Sequence, residues 1–192
     1  FLANSNFIKM RIKKFWGKDS VVIHPPVNLS KFNADNSIAF SNKIKFCKSD
    51  YYICAGALES YKRIDLAISA CNYLKKTLLV LGKGGELKKL KKLAGGNVQF
   101  IEEVDDELLI SAIYHSKALL FPGREDFGIV PLEAQALGKP VIAYAAGGVL
   151  DTINSNTGVL FKEQTVLSLS EAILSFEMNT KKFSDKSVFV NN

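Results

Sequence analysis

Two glutamates, Glu125 and Glu133, stand in the stretch REDFGIVPLEAQALGKPVIAY with seven residues between them, around a Phe-Gly turn and a proline. A helix beginning near Val130 puts Glu133 in its first turn and leaves Glu125 before the corner, so the pair does not stack on one helix face. Between them, the amides of Phe127, Gly128 and Ile129 precede the helix and lack intrahelical carbonyl partners. Carboxylates accept hydrogen bonds from hydroxyls and free N–H groups donate to oxygens, so the stretch suits a neutral, hydroxyl-rich ligand. The residue types equally allow a plainer role, Glu133 steadying a helix start and Glu125 an acid of a surface loop.

Two further stretches could contact an anion. LESYKR brings Lys62 and Arg63 to a helix start, where a lysine acts as a point charge and an arginine as a fork toward phosphate, unless both are ordinary exposed first-turn residues. GKGGE places Gly82, Gly84 and Gly85 before another helix, where missing side chains let a ligand approach backbone amides. This is neither GxGxxG nor GxxxxGK[ST], so the dinucleotide-binding and NTPase loops lose their main sequence support. The acidic run EEVDDE (102–107) reads as helix capping rather than a metal site, and His24 and His115 lack a neighbouring nucleophile and read as structural.

The elements that position these stretches follow from periodicity. Apolar runs at 51–57, 77–82, 97–101, 117–122, 140–144 and 158–161 alternate with helical patterns at 63–76, 85–94, 106–116, 130–138 and 165–177. That alternation predicts an α/β fold, a Rossmann-like parallel sheet of about six strands flanked by helices. In such a sheet ligands bind beyond the carboxyl ends of the strands, and all three stretches follow strands. Asp105 suits a helix N-cap, Pro131 a helix start and Gly138 a C-terminal cap. Before residue 45 the pattern changes: FIKMRIKKFWG reads as a helix, VVIHPPV as a short strand with no sheet of its own to join, and 28–43 as a polar linker.

At 192 residues, with 47% hydrophobic and 23% charged residues, the chain fits one ordinary globular domain. No apolar run reaches the ~20 residues of a membrane span, and the N-terminal charge order is wrong for a secretory signal, so the expected location is cytoplasmic. Cys47, Cys54 and Cys71 form no CxxC pair and read as reduced, mostly buried thiols. The net charge of +6 favours anionic partners without choosing among them. KMRIKKFWGK (9–18) interleaves aromatics with cations and leaves a peripheral membrane contact open, although an amphipathic helix end explains it first. ELKKLKKL (86–93) reads as a solvated helix, and no nucleic-acid partner is expected.

Taken together, YKRIDLAI, LGKGGE and FPGREDFGIVPLEAQALGKPVIAYAAGG resemble the C-terminal half of a GT-B glycosyltransferase of family 4, the group 1 glycosyltransferases, and among them the mannosyltransferases of surface-polysaccharide synthesis. The resemblance runs from about residue 1 to about residue 176. It implies that residues 1–45 are the tail of an N-terminal acceptor domain with its linker, and 46–192 a nucleotide-sugar donor domain. Lys62 would neutralise the donor diphosphate and Glu125, with the amides of Phe127, Gly128 and Ile129, would face the sugar. Glu133 would hold the ribose, Gly82 and Gly84 would line the nucleotide pocket, and Val104 would lie by the base. The implied reaction is transfer with retention of mannose from GDP-mannose to a glycan or lipid-linked acceptor, at the inner face of the membrane, without a metal or cofactor. The acceptor would be bound by an N-terminal domain missing here, so this stretch alone is expected to be inactive. A non-catalytic nucleotide-sugar-binding module is the alternative. Where many members carry an arginine five residues before the lysine this chain has Ala57, so Arg63 is a candidate second phosphate ligand.

Overall fold

The computed structural model describes residues 1–28, 30–32, 39–46, 48 and 50–183. Cys47, one of the three thiols, and the segment 33–38 within the expected linker lie outside the described residues.

Six parallel strands form the main sheet: β3 (Tyr51–Ala55), β4 (Thr77–Leu81), β5 (Val98–Ile101), β6 (Leu119–Phe121), β7 (Val141–Tyr144) and β8 (Gly158–Phe161). Their order is β5-β4-β3-β6-β7-β8, so the chain lays down one half outward from β3, then returns to start the other half at β6. The expected α/β sheet is therefore present, doubly wound, with its switch point between β3 and β6.

Strand alternation explains the two cores. Tyr52 and Cys54 face the side covered by helices α2 (Ile64–Leu74), α3 (Leu87–Leu93) and α6 (Val166–Met178). Tyr51, Ile53 and Ala55 face the side covered by α4 (Asp106–Tyr114) and α5 (Ile129–Ala136). Both faces are apolar because a parallel sheet is buried on both sides. The expected caps are realised: Asp105 accepts from the Leu108 amide at 2.8 Å. Gly138, at φ 67, closes α5, where a left-handed residue costs glycine little. Cys54 and Cys71 are buried free thiols, and burial pushes Cys71 up to about 12.

The first segment departs from expectation. Leu2–Ala3 (β1) pairs in parallel with Val21–Val22 (β2), so the short strand does have a sheet, across helix α1 (Asn6–Trp16). The expected linker is likewise not free of the domain. Phe32 and Ile44 bury themselves in the α4 and α5 core, and Ser111 Oγ donates to the Ala39 carbonyl at 2.7 Å.

Candidate functional site at the strand ends

The switch point delivers two loops to one place. The chain leaving β3 turns through a short helical turn, Ser60–Lys62, and the chain leaving β6 carries Glu125. Lys62 Nζ lies 2.6 Å from Glu125 Oε1, with side chains only 13% and 17% exposed. That oxygen is fully buried, and the ammonium is its partner among the described residues. The ammonium meets it at the short distance of a charge-assisted contact. A Cβ at Gly56 would stand 3.6 Å from Nζ, so a bare backbone forms one wall beside the lysine.

Beside the pair, α5 starts without a side-chain cap. Gly128, at φ 90, precedes it, and a Cβ there would press on the Phe121 ring at 3.3 Å. The amides entering α5 thus lack a side-chain cap, and the helix begins at Ile129, two residues before Pro131. Glu133 is half-buried in the first turns of α5. Burial raises its carboxyl above the ordinary value, and Asp106 adds to this while Lys31 opposes it. Its carboxylate makes no hydrogen bond or salt bridge to another described residue, whereas Lys31 is paired with Asp106 at 2.8 Å.

Other expected residues are placed differently. Arg63 takes a left-handed conformation, φ 52, and forks onto Asp65 with its Nε 3.1 Å and its Nη2 3.2 Å from the carboxylate oxygens. Its guanidinium pairs with that neighbour, and the partly exposed pair leaves the expected phosphate contact as an open assignment. Gly82 and Gly84 serve a packing need. A Cβ on Gly82 would fall 2.1 Å from the Gly56 carbonyl oxygen, and one on Gly84 2.6 Å from the Leu58 backbone. The Gly82 amide donates to Ile101 at 2.9 Å, and the Gly85 amide to Glu59 at 3.3 Å. Val104 packs against the α4 and α5 core. The acidic run is divided among partners: Glu102 with Lys91, Glu103 with Lys83, Asp105 with Lys43 and Asp106 with Lys31. No group of three potential ligands is gathered around a metal position among the described residues.

Three features escaped the sequence reading. Ser5, fully buried, donates to the Asp126 carbonyl and accepts from the Ile8 amide, so it caps α1 and ties that helix to the Glu125 loop. Asn6 donates twice to Asp151, Arg11 pairs with Asp126 at 3.3 Å, and Arg124 lies over the Phe7 ring at 4.5 Å. Gly147 and Gly148 pack directly on the backbone of Glu125 to Phe127, and the Gly148 amide donates to the Glu125 carbonyl at 2.9 Å. The glycine pair after β7 was a legible signal for such a contact; the serine was not. His24 lies against the Phe127 ring, centroids 5.4 Å apart.

The six-stranded, doubly wound parallel sheet flanked by helices is the Rossmann-like half of a GT-B fold, a fold shared with HepE of Anabaena. The structure of that protein with UDP and glucose superposes with a TM-score of 0.83 at 19% identity, covering 97% of this chain and 56% of HepE. Residues 36–187 match the model of the glycosyl transferases group 1, and the chain belongs to that family. It is similar to human alpha-1,3/1,6-mannosyltransferase ALG2, 28% identical over 91% of this chain and 49% of the relative. It is also 28% identical to a GDP-mannose-dependent phosphatidylinositol monomannoside mannosyltransferase of Corynebacterium glutamicum, over 88% of this chain and 50% of the relative. The chain thus spans about half the length of the curated relatives it matches.

Proposed function

We propose that the cleft at the carboxyl ends of β3 and β6 binds a nucleotide-sugar donor, GDP-mannose first among candidates, for transfer of its sugar with retention. The observation that carries this reading is the Lys62–Glu125 pair, 2.6 Å apart and largely buried beside the uncapped start of α5. When the bond between anomeric carbon and diphosphate breaks, its electron pair leaves with the diphosphate. A preorganised ammonium in a site poor in water is most effective against charge that develops in this way. Lys62 takes that role, Glu125 and the amides of Phe127 to Ile129 hold the sugar, and Glu133 accepts from the ribose hydroxyls. Gly82 and Gly84 contribute to the pocket by shaping the loops around it, and Val104 borders the base. Arg63, held by Asp65, is left out of the phosphate contact. No metal or cofactor is assigned a part.

GDP-mannose is favoured because relatives named as mannosyltransferases, one of them GDP-mannose-dependent, align over most of this chain. The acceptor, a glycan or lipid-linked sugar, is assigned to an N-terminal domain, with residues 1–45 as its last part and the linker. No helix among the described residues is long and apolar enough to cross a membrane. The exposed Met10, Phe15 and Trp16, with the lysines of α1, suit peripheral contact with an anionic membrane surface at the cytoplasmic face. Calorimetric titration with GDP-mannose, UDP-glucose and ADP-glucose tests the reading. GDP-mannose is expected to bind most tightly, and silence from all three at millimolar concentration overturns the donor site.

A further inference from the structure

The Lys62–Glu125 pair poses a problem for any anion. Its two charges cancel, so a phosphate drawn to Lys62 arrives beside a carboxylate already holding that ammonium. The Glu125 side chain is only 17% exposed, so water screens it poorly. Oε1 is fully buried and has the ammonium 2.6 Å away as its partner, so losing the lysine to a phosphate leaves it without one among the described residues. A bare nucleoside diphosphate offers nothing to repair this. Its terminal phosphate adds about 1.5 to 2 negative charges near neutral pH, as phosphate monoesters do. A nucleoside diphosphate carrying a sugar has that terminal charge reduced by esterification, and it brings hydroxyls that can donate to the carboxylate.

We propose that Glu125 makes this site select the sugar-loaded nucleoside diphosphate over the bare one, by competing with phosphate for Lys62 and requiring a hydroxyl donor before it lets go. The inference rests on the donor-site reading above. It gives Glu125 a task beyond holding sugar: once the sugar has left, the same carboxylate weakens the hold on the diphosphate and favours its release.

Calorimetric titration of this chain and its Glu125→Gln variant with GDP, GDP-mannose, UDP, UDP-glucose and inorganic pyrophosphate tests it, with thermal melts to establish that the variant folds. For the nucleotide whose sugar form binds, Glu125→Gln is expected to tighten the bare diphosphate about 5- to 10-fold, a modest fraction of the effect of one nearby charge in a poorly solvated site. Pyrophosphate, which has neither base nor sugar, follows the bare diphosphate. The sugar form is expected to bind the variant no more tightly than the parent. Unchanged or weakened binding of the bare diphosphate overturns the selection while leaving the donor site standing, as does a parent chain that prefers the bare form. A parent chain that binds none of the five overturns both.

Discussion

Two lysine–glutamate clusters lie at opposite ends of the same sheet. At the amino ends of the strands, Glu177 of α6 accepts from Tyr52 Oη at 3.0 Å and from Lys76 Nζ at 2.8 Å, with Lys117 at 4.0 Å. Lys117 is also paired with Asp50 at 3.4 Å. At the carboxyl ends, the buried Oε1 of Glu125 has Lys62 alone as its side-chain partner among the described residues. Each cluster joins strands to neighbouring elements, but the Glu177 side chain has three partners where the Glu125 side chain has one among the described residues. A buried carboxylate with a single cationic partner beside an uncapped helix start is the one of the two placed to take a ligand.

Substitutions can break this contrast. The largest effect is expected from Lys62→Gln, which should weaken binding of the nucleotide sugar by about 2–3 kcal/mol, the range of a hydrogen bond to a charged group, read by calorimetry. Glu177→Gln should leave that affinity unchanged and lower stability by about 1 kcal/mol in urea unfolding, modest because the cluster is partly open to water. Burial alone would raise Glu177, but the hydrogen bonds from Lys76 and Tyr52 and the lysine charges outweigh it and hold the carboxyl below its ordinary value of 4.5. A depressed carboxyl stabilises above its unfolded value and loses that contribution as pH falls, so the gap between parent and variant should narrow in acid.

Ser5→Ala sharpens the comparison by loosening only the Glu125 side. It should cost about 1 kcal/mol, as loss of an N-cap does, and speed hydrogen exchange at 124–128, with Ser5→Thr restoring both. The smallest stability effect should come from Glu133→Gln. Burial raises this carboxyl, so the folded protein disfavours its ionised form and the cost appears as pH rises past the ordinary value of 4.5. The glutamine should therefore melt at or slightly above the parent at neutral pH, the difference vanishing in acid, while donor affinity falls. A glutamate that weakens the fold yet strengthens binding belongs to the ligand.

The strands and helices were legible because alternating and helical apolar patterns are local, and Asp105 and Gly138 announce their ends through backbone chemistry. Positions Glu125 and Glu133 were legible as residue types, and the free amides between them followed from a glycine before a helix. What the pattern could not carry was long-range contact. Lys62 meets Glu125 only because the sheet reverses its winding between β3 and β6. Ser5 reaches Asp126 across 121 positions with no periodic trace. The pairing of Arg63 with Asp65 was not legible either, since spacing gives a side chain no direction. Gly82 and Gly84 looked like openings for a ligand, since a sequence does not distinguish a glycine that admits a ligand from one that admits another loop.

On this reading the donor binds at the Lys62–Glu125 pair and not at the Glu177 cluster. Amide NMR of this chain titrated with GDP-mannose tests it directly. Shifts are expected to concentrate at Lys62 and at Glu125 to Glu133, with Tyr52, Lys76, Lys117 and Glu177 unmoved. Shifts centred on the Glu177 cluster, or none at millimolar ligand for this or any other nucleotide sugar, would contradict it.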